Sequence, residues 1–251
     1  MRGSRTLIGA VLLAVSVASA GMSDPELERF LASAPVVANV EVGKGVTGIR
    51  QLTLRDGDTE LRASFKTVDE LTGLRMAGTG LAELNQADRY HYDIAAYLLD
   101  RMLGLNMVPV TIYRELDGEP GSLTVWIEGA IDESERKSRE LPPIGDKASM
   151  LVFDLLIFNE DRNTGNILYT LGDGRMHLID HSRSFRTYTG RPRSLKNQDI
   201  EMPDDFRERL AAMEPDRIRT VLAPWLKEVQ IRALLKRSEK LLAMGGPLPP
   251  A

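Results

Sequence analysis

The chain of 251 residues carries 32 Lys and Arg against 36 Asp and Glu, a formal charge of -4, and contains no cysteine. This mildly acidic balance excludes a general electrostatic hold on nucleic acid or on an anionic membrane surface. The missing thiols exclude disulfides and thiolate-held metals, so the fold must rest on its apolar core.

Arg2 and Arg5 precede an uncharged stretch, 6–20, that ends in Ala18-Ser19-Ala20. A basic start, a short apolar centre and an Ala-x-Ala end have the form of a secretory signal peptide cleaved after Ala20, which predicts a secreted or periplasmic protein. An uncleaved membrane anchor is the alternative, although the run is shorter than the ~20 residues a span needs. Residues 21–34 carry Leu27, Phe30 and Leu31 behind Ser23-Asp24-Pro25-Glu26, the pattern of a short capped helix acting as a packing appendage. β-type runs follow at 36–42, 47–54 and 61–68, the last two joined by a turn at Arg55-Asp56-Gly57-Asp58. Between the first two lies Gly43-Lys44-Gly45-Val46-Thr47-Gly48. Such a turn, with Gly45 and Gly48 as the candidates, can open its backbone N–H groups to phosphate, or it can serve φ > 0 geometry alone. Lys66 ends the third run after the apolar Phe65, a position that also suits an edge-strand charge deterring pairing.

From Asn85 the spacing predicts helix, because Ile94, Ala95, Tyr97, Leu98, Met102 and Leu103 recur at three and four and Gly104 closes the run. A strand is predicted over 105–113, with Pro109 marking an edge or bulge, then a turn at 117–121 and an antiparallel neighbour over 122–127. Glu128-Gly129-Ala130 opens a charged, Pro-containing connector that runs to Gly145 and has the composition of a hinge, with 132–140 as solvated surface.

An apolar run, 150–158, reads as a buried helix and breaks at the polar Asn159-Glu160-Asp161-Arg162-Asn163-Thr164-Gly165-Asn166. Two short β-type runs follow, 167–169 and 176–179, joined by Gly172-Asp173-Gly174 as a hairpin. Asn166 stands just before the first and Asp180 just after the second, so the hairpin brings Asp161, Asn166 and Asp180 to one edge. Two carboxylates and a carboxamide together can hold Mg²⁺, or Mn²⁺ in its place, and still leave one carboxylate to receive a proton. Mg²⁺ takes only one or two protein oxygens and fills its shell with phosphate and water. Singly, Asp and Asn are common turn residues; the conjunction of helix, polar loop, hairpin and terminal Asp is what points to chemistry.

The order Asp161, Asn166, Asp180 resembles the catalytic loop and metal-binding segment of kinases. The wording Asp-Arg-x-x-x-Asn, followed by Leu-Ile-Asp-His-Ser, is most similar to the phosphatidylinositol 3- and 4-kinase-like group and its relatives, the secretory-pathway kinases of the Golgi casein kinase type. The resemblance is sharp over 147–185. Asn163 stands where the lipid kinases have a His, and Asp180-His181-Ser182 replaces Asp-Phe-Gly, which points away from a lipid acceptor. The resemblance implies that Asp161 is the base, that Asn166 and Asp180 bind metal, and that Lys66 reaches the α- and β-phosphates of ATP. It implies an acidic partner for Lys66 from the following helix, for which Asp93 is the candidate, with Glu83 in the loop before that helix as its rival. Arg162 either neutralises developing charge or anchors the loop. The hinge near Glu128 would pair with adenine, with Trp126 either packing on the base or serving the core. The basic stretch Arg183, Arg186, Arg191, Arg193 and Lys196 matches the substrate-binding segment by position; pairing with surface acids is its plainer use. Amphipathic helices over 203–213 and 215–244, the second interrupted at Pro224, close the chain.

The expected fold is therefore α+β and two-lobed, with a signal peptide at 1–20, an appendage at 21–34, a sheet lobe at 35–127 and a mainly helical lobe at 128–251. The expected function is an exported phosphotransferase that moves the γ-phosphate of ATP to a hydroxyl of a protein or sugar. A nucleotide-binding module without turnover and a nucleotidyl transferase on the same fold are the alternatives.

Overall fold

The computed structural model describes residues 21–42, 49–76 and 82–248, with 72–76 and 82–86 in backbone only. The expected signal peptide, 1–20, and the glycine turn with Gly45 and Gly48 lie outside the described residues.

Alternation builds the first lobe. In β3 (Thr59–Lys66), Leu61, Ala63 and Phe65 point to one face and are fully buried, while Arg62, Ser64 and Lys66 point to the other. Each large apolar side chain so buried contributes about 1.5–3 kcal/mol. With β1 (Val36–Glu41), β2 (Ile49–Asp56), β6 (Thr111–Leu116) and β7 (Glu119–Val125), it forms an antiparallel sheet of order β1-β2-β3-β7-β6. The first helix, α1 (Asp24–Ser33), is tied to β6 through Arg114, which donates to the carbonyls of Leu31 and Ala34 at 2.6 and 2.9 Å.

The stretch after β3 departs from expectation. A hairpin, β4 (Asp69–Met76) and β5 (Ala82–Arg89), precedes the helix, so Asn85 is strand and α2 runs Tyr90–Met102. Asp69 and Arg89 face each other in register and form an ion pair that closes the hairpin's base. Glu83 lies in β5 opposite Arg75. The strand expected over 105–113 begins only at Thr111. Gly104 and Asn106 both adopt positive φ, and the buried carboxylate of Asp100 accepts from the Met107 N–H at 3.0 Å, which holds the intervening residues as a loop.

In the second lobe, α4 (Lys147–Ile157) is buried from Ser149 to its end and packs on α7 (Glu228–Leu242). Asp146 caps α4, accepting from Ser149 N–H at 3.0 Å. The residues expected as solvated surface, 132–140, are none of them buried; they follow β8 (Ile131–Asp132) into the short α3 (Glu133–Ser138), which Asp132 caps by accepting from Glu135 N–H at 2.8 Å. β8 joins β9 (Ile167–Thr170) and β10 (Arg175–Leu178) in a small sheet of order β10-β9-β8. α5 (Asp204–Ala211) and α6 (Pro215–Leu222) complete the lobe, and Pro224 falls between α6 and α7 as expected.

Candidate active site

Lys66, the last residue of β3, is 7% exposed, and its Nζ donates to Asp180 Oδ1 at 2.6 Å. The same Nζ stands 3.1 Å from Asp93 Oδ2, an ion pair without hydrogen-bond alignment. Burial by itself would push the ammonium's pKa down; the carboxylates of Asp93 and Asp180 outweigh burial and hold it above the ordinary lysine value. Burial likewise acts to raise both acids. At Asp180 the facing Lys66 prevails and the pKa lies below the usual range, whereas at Asp93 burial prevails and it lies above.

Aspartate is one methylene shorter than glutamate, and the structure shows how α2 makes it sufficient. Asp93 Oδ1 accepts the backbone N–H of His181 at 2.6 Å, so one buried carboxylate binds β3 and the loop of Asp180 together. Asp180 itself has φ +56°, a left-handed backbone, and its Oδ1 also accepts from Ser182 Oγ at 3.0 Å. Ile179 N–H donates to the Asn166 carbonyl at 3.1 Å, which ties the end of the hairpin to its beginning. Asn166 Nδ2 in turn donates to the Asp161 carbonyl at 2.9 Å. This leaves the amide oxygen as the atom able to face a cation.

These residues border a cleft of 530 Å³ between the large sheet and the small one. Lys66, Asp93, Asn166 and Asp180 line its polar end, and Val125, Trp126, Ile127, Leu168 and Ile179 are among its apolar walls. A largely apolar slot ending in an ammonium, two carboxylates and a carboxamide suits a nucleotide, base first. With Asp93 engaged by Lys66 and the His181 N–H, the donors left at that end, the Asp180 carboxylate and the Asn166 amide oxygen, fit Mg²⁺ or Mn²⁺ whose remaining ligands would be phosphate and water. Among the described residues no group of three or more His, Cys, Asp or Glu could hold a metal by itself.

Asp161 sits outside the residues lining that cleft, with a side chain 32% exposed. Its Oδ2 accepts from Arg183 Nη1 at 3.0 Å, and Arg183 Nε is 3.1 Å from Asp88 Oδ2 at the end of β5. Glu128, expected near the nucleotide, is instead held by the Arg62 guanidinium, Nε to Oε1 at 2.7 Å, and does not line the cleft.

Arg162 is the clearest correction. Its side chain is 3% exposed and points into the protein. Nε and Nη2 grip Asp154 at 2.9 and 3.0 Å, Nη1 donates to the carbonyls of Asn166 and Ile179 at 2.6 and 2.9 Å, and Nη2 also meets His181 Nε2 at 2.9 Å. All five guanidinium N–H groups are engaged, so none remains for a reacting oxygen, and the loop-anchoring use prevails. Because arginine only donates, His181 Nε2 accepts and the ring is neutral. Burial, with Arg162 beside it, holds its pKa well below the ordinary histidine value. Asp154 escaped the sequence reading although a lone acid inside the apolar run 150–158 was a visible signal; Asp88 carried none.

No protein-family model matches the chain. The Mycobacterium tuberculosis protein Rv2133c is 26% identical over 202 residues, covering 62% of this chain and 70% of that protein. A structure of hydra Fam20 with sugar superposes with a TM-score of 0.63 at 16% identity, over 91% of this chain and 90% of the other. The Golgi casein kinase with Mn/ADP bound gives a TM-score of 0.60 at 13% identity, over 88% and 74% of the two chains. The chain has the two-lobed α+β fold of the Golgi casein kinase-like atypical kinases.

Proposed function

We propose that the chain is an exported, Mg²⁺- and ATP-dependent phosphotransferase with a protein or sugar hydroxyl as acceptor. The observation that supports this most is the convergence of Lys66, Asp93, Asn166 and Asp180 on one cleft whose other walls are mostly apolar, with Ser64, Ser122 and Thr124 as the hydroxyl-bearing exceptions. Fam20 and the Golgi casein kinase share the fold, and one of those structures holds Mn and ADP.

In this reading the base lies against Trp126 and Ile127, and Lys66, aimed by Asp93, meets the α- and β-phosphates. Asn166 and Asp180 would hold the metal, which would supply positive charge against that of the phosphates. The acceptor oxygen attacks the γ-phosphorus, the bond from that phosphorus to the β,γ-bridging oxygen breaks, and ADP leaves with the electron pair. Asp161 accepts the hydroxyl proton. The basic start and Ala-x-Ala end of 1–20 support export.

Mg²⁺·ATP should raise the melting temperature of the wild type and not of Asp180→Ala. Label from γ-phosphate should appear on an acceptor and vanish with Asp161→Asn. Label transferred from the α-phosphate instead would establish nucleotidyl transfer. Stabilisation without either transfer, across protein and sugar acceptors, would establish a binding module.

A further inference from the structure

Phosphoryl transfer spreads negative charge over the three equatorial oxygens of the moving group, and a cation is needed where that group passes from nucleotide to acceptor. Lys66 is already held by Asp93 and Asp180. Arg162, adjacent in sequence to Asp161, has no N–H left to offer. Among the described residues, the cation that touches Asp161 is Arg183.

Three features fit Arg183 to the task. It lies three residues beyond Asp180 on one short loop and contacts Asp161, so it spans the gap between metal ligand and base. Asp88 fixes its Nε from the end of β5, and Asp88 Oδ1 is buried without a hydrogen-bond partner, an anion that depends on this guanidinium. Its side chain is 37% exposed and its Nη2 is engaged by neither carboxylate, so a partly exposed guanidinium held at Nε and Nη1 has that nitrogen for a ligand. The backbone supports this placement, because Arg89 N–H donates to the Ser182 carbonyl at 2.9 Å and thereby docks the base of the β4–β5 hairpin on the same loop.

We infer that Arg183 is a catalytic residue, binding the γ-phosphoryl oxygens during transfer while Asp88 acts as the positioning residue that aims it. The inference rests on the phosphotransferase reading and adds to it the source of positive charge at the acceptor end. The β,γ bond breaks and the acceptor–phosphorus bond forms as described above. Arg183 gives and takes no proton; it stabilises the charge on the moving group.

The test uses the full chain, with water as acceptor in ATP hydrolysis, and measures thermal stabilisation by Mg²⁺·ADP with and without aluminium fluoride, a mimic of the transferred phosphoryl group. Wild type should be stabilised further by aluminium fluoride. Arg183→Gln should keep the Mg²⁺·ADP shift, lose the aluminium fluoride increment, and turn over roughly 10²–10³-fold more slowly at little-changed KM for ATP. Arg183→Lys should recover only part of the rate, since an ammonium lacks the fork. Asp88→Asn, which keeps the guanidinium but loosens its aim, should fall between and serves should Arg183→Gln fail to fold. Retention of both increment and rate in Arg183→Gln, with wild type active, overturns this inference and leaves the phosphotransferase reading standing. Loss of Mg²⁺·ADP binding in the folded variant overturns it too, because the role is then structural. Wild type that neither responds to aluminium fluoride nor transfers label overturns both.

Discussion

Arg162 and Asp154 show how a charged pair can organise a site it never enters. Asp154 is fully buried and accepts from Asn159 Nδ2 at 2.9 Å as well as from the arginine fork, so both arms of the polar loop converge on one carboxylate. From there Arg162 reaches the carbonyls of Asn166, itself a metal-ligand candidate, and of Ile179, the residue before the other. Breaking a buried pair by removing one charge costs more than the pair contributes, because the survivor is left unpaired in a low dielectric. Asp154→Asn should therefore lower the free energy of unfolding by about 3–5 kcal/mol, read from urea denaturation. Arg162→Lys should fare little better, since three N–H groups on a flexible stem cannot serve five sites held in a plane. A urea midpoint for either variant equal to wild type would remove the anchor from the account. The identity of Arg162 was plain in the loop wording; its direction was not, because neighbouring residues in a tight loop point to opposite sides and only the packed α4 selects which side is interior.

The strands β3 and β7 put Lys66 where it is, and a glycine sets how closely they approach. Phe65 pairs with Leu123 and Lys66 with Ser122, and a Cβ on the preceding Gly121 would fall 2.6 Å from the Lys66 carbonyl and 2.7 Å from the Phe65 ring. Those distances are too short for any side chain, so the end of β3 must shift. Gly121→Ala should cost about 1–3 kcal/mol of stability and weaken Mg²⁺·ATP stabilisation beyond that loss, whereas Gly172→Ala, with open space around its Cβ, should do neither. Equal ATP responses in the two variants would separate the glycine from the site. β3, α4 and the β9–β10 hairpin were legible because their apolar residues recur at a clear period of two or lie in unbroken runs bounded by turn residues. The β4–β5 hairpin was not: its strands carry Glu70, Thr72, Gly73, Arg75, Glu83, Asn85 and Gln86, too polar for an inward face. The strand expected from Leu105 failed for another reason, since its β-type composition is overridden by the positive φ of Asn106 and by the grip of Asp100 on the Met107 N–H.

The two-lobed plan was legible through the kinase resemblance and the charged connector after Glu128, but the coupling between lobes, the Lys66–Asp180 pair above all, rests on contacts that sequence does not expose, and the protein also buries groups that it keeps neutral. His181, at the junction of α2, α4 and the Asp180 loop, is one such group. His177 on β10 is another: burial, with Arg175 adding to it, pushes its pKa down to about 4. Both folded-state values lie below that of the unfolded chain, so between pH 6.5 and 4 the unfolded chain binds a proton at His177 that the folded one refuses. Stability from this source is complete above pH 6.5, falls as pH drops through that window, and is lost in full by about pH 4. For His177 alone the fall between pH 7.5 and 5 should be about 2 kcal/mol, with His181 adding in the same direction. His177→Gln preserves a donor and an acceptor toward Thr170 Oγ1, 3.2 Å from the ring in the wild type, and cannot titrate. Its urea midpoint should therefore fall less on acidification than that of wild type. Parallel losses in the two proteins would mean that the imidazole at 177 is already charged in the folded state, or that the pH response belongs to the carboxylates.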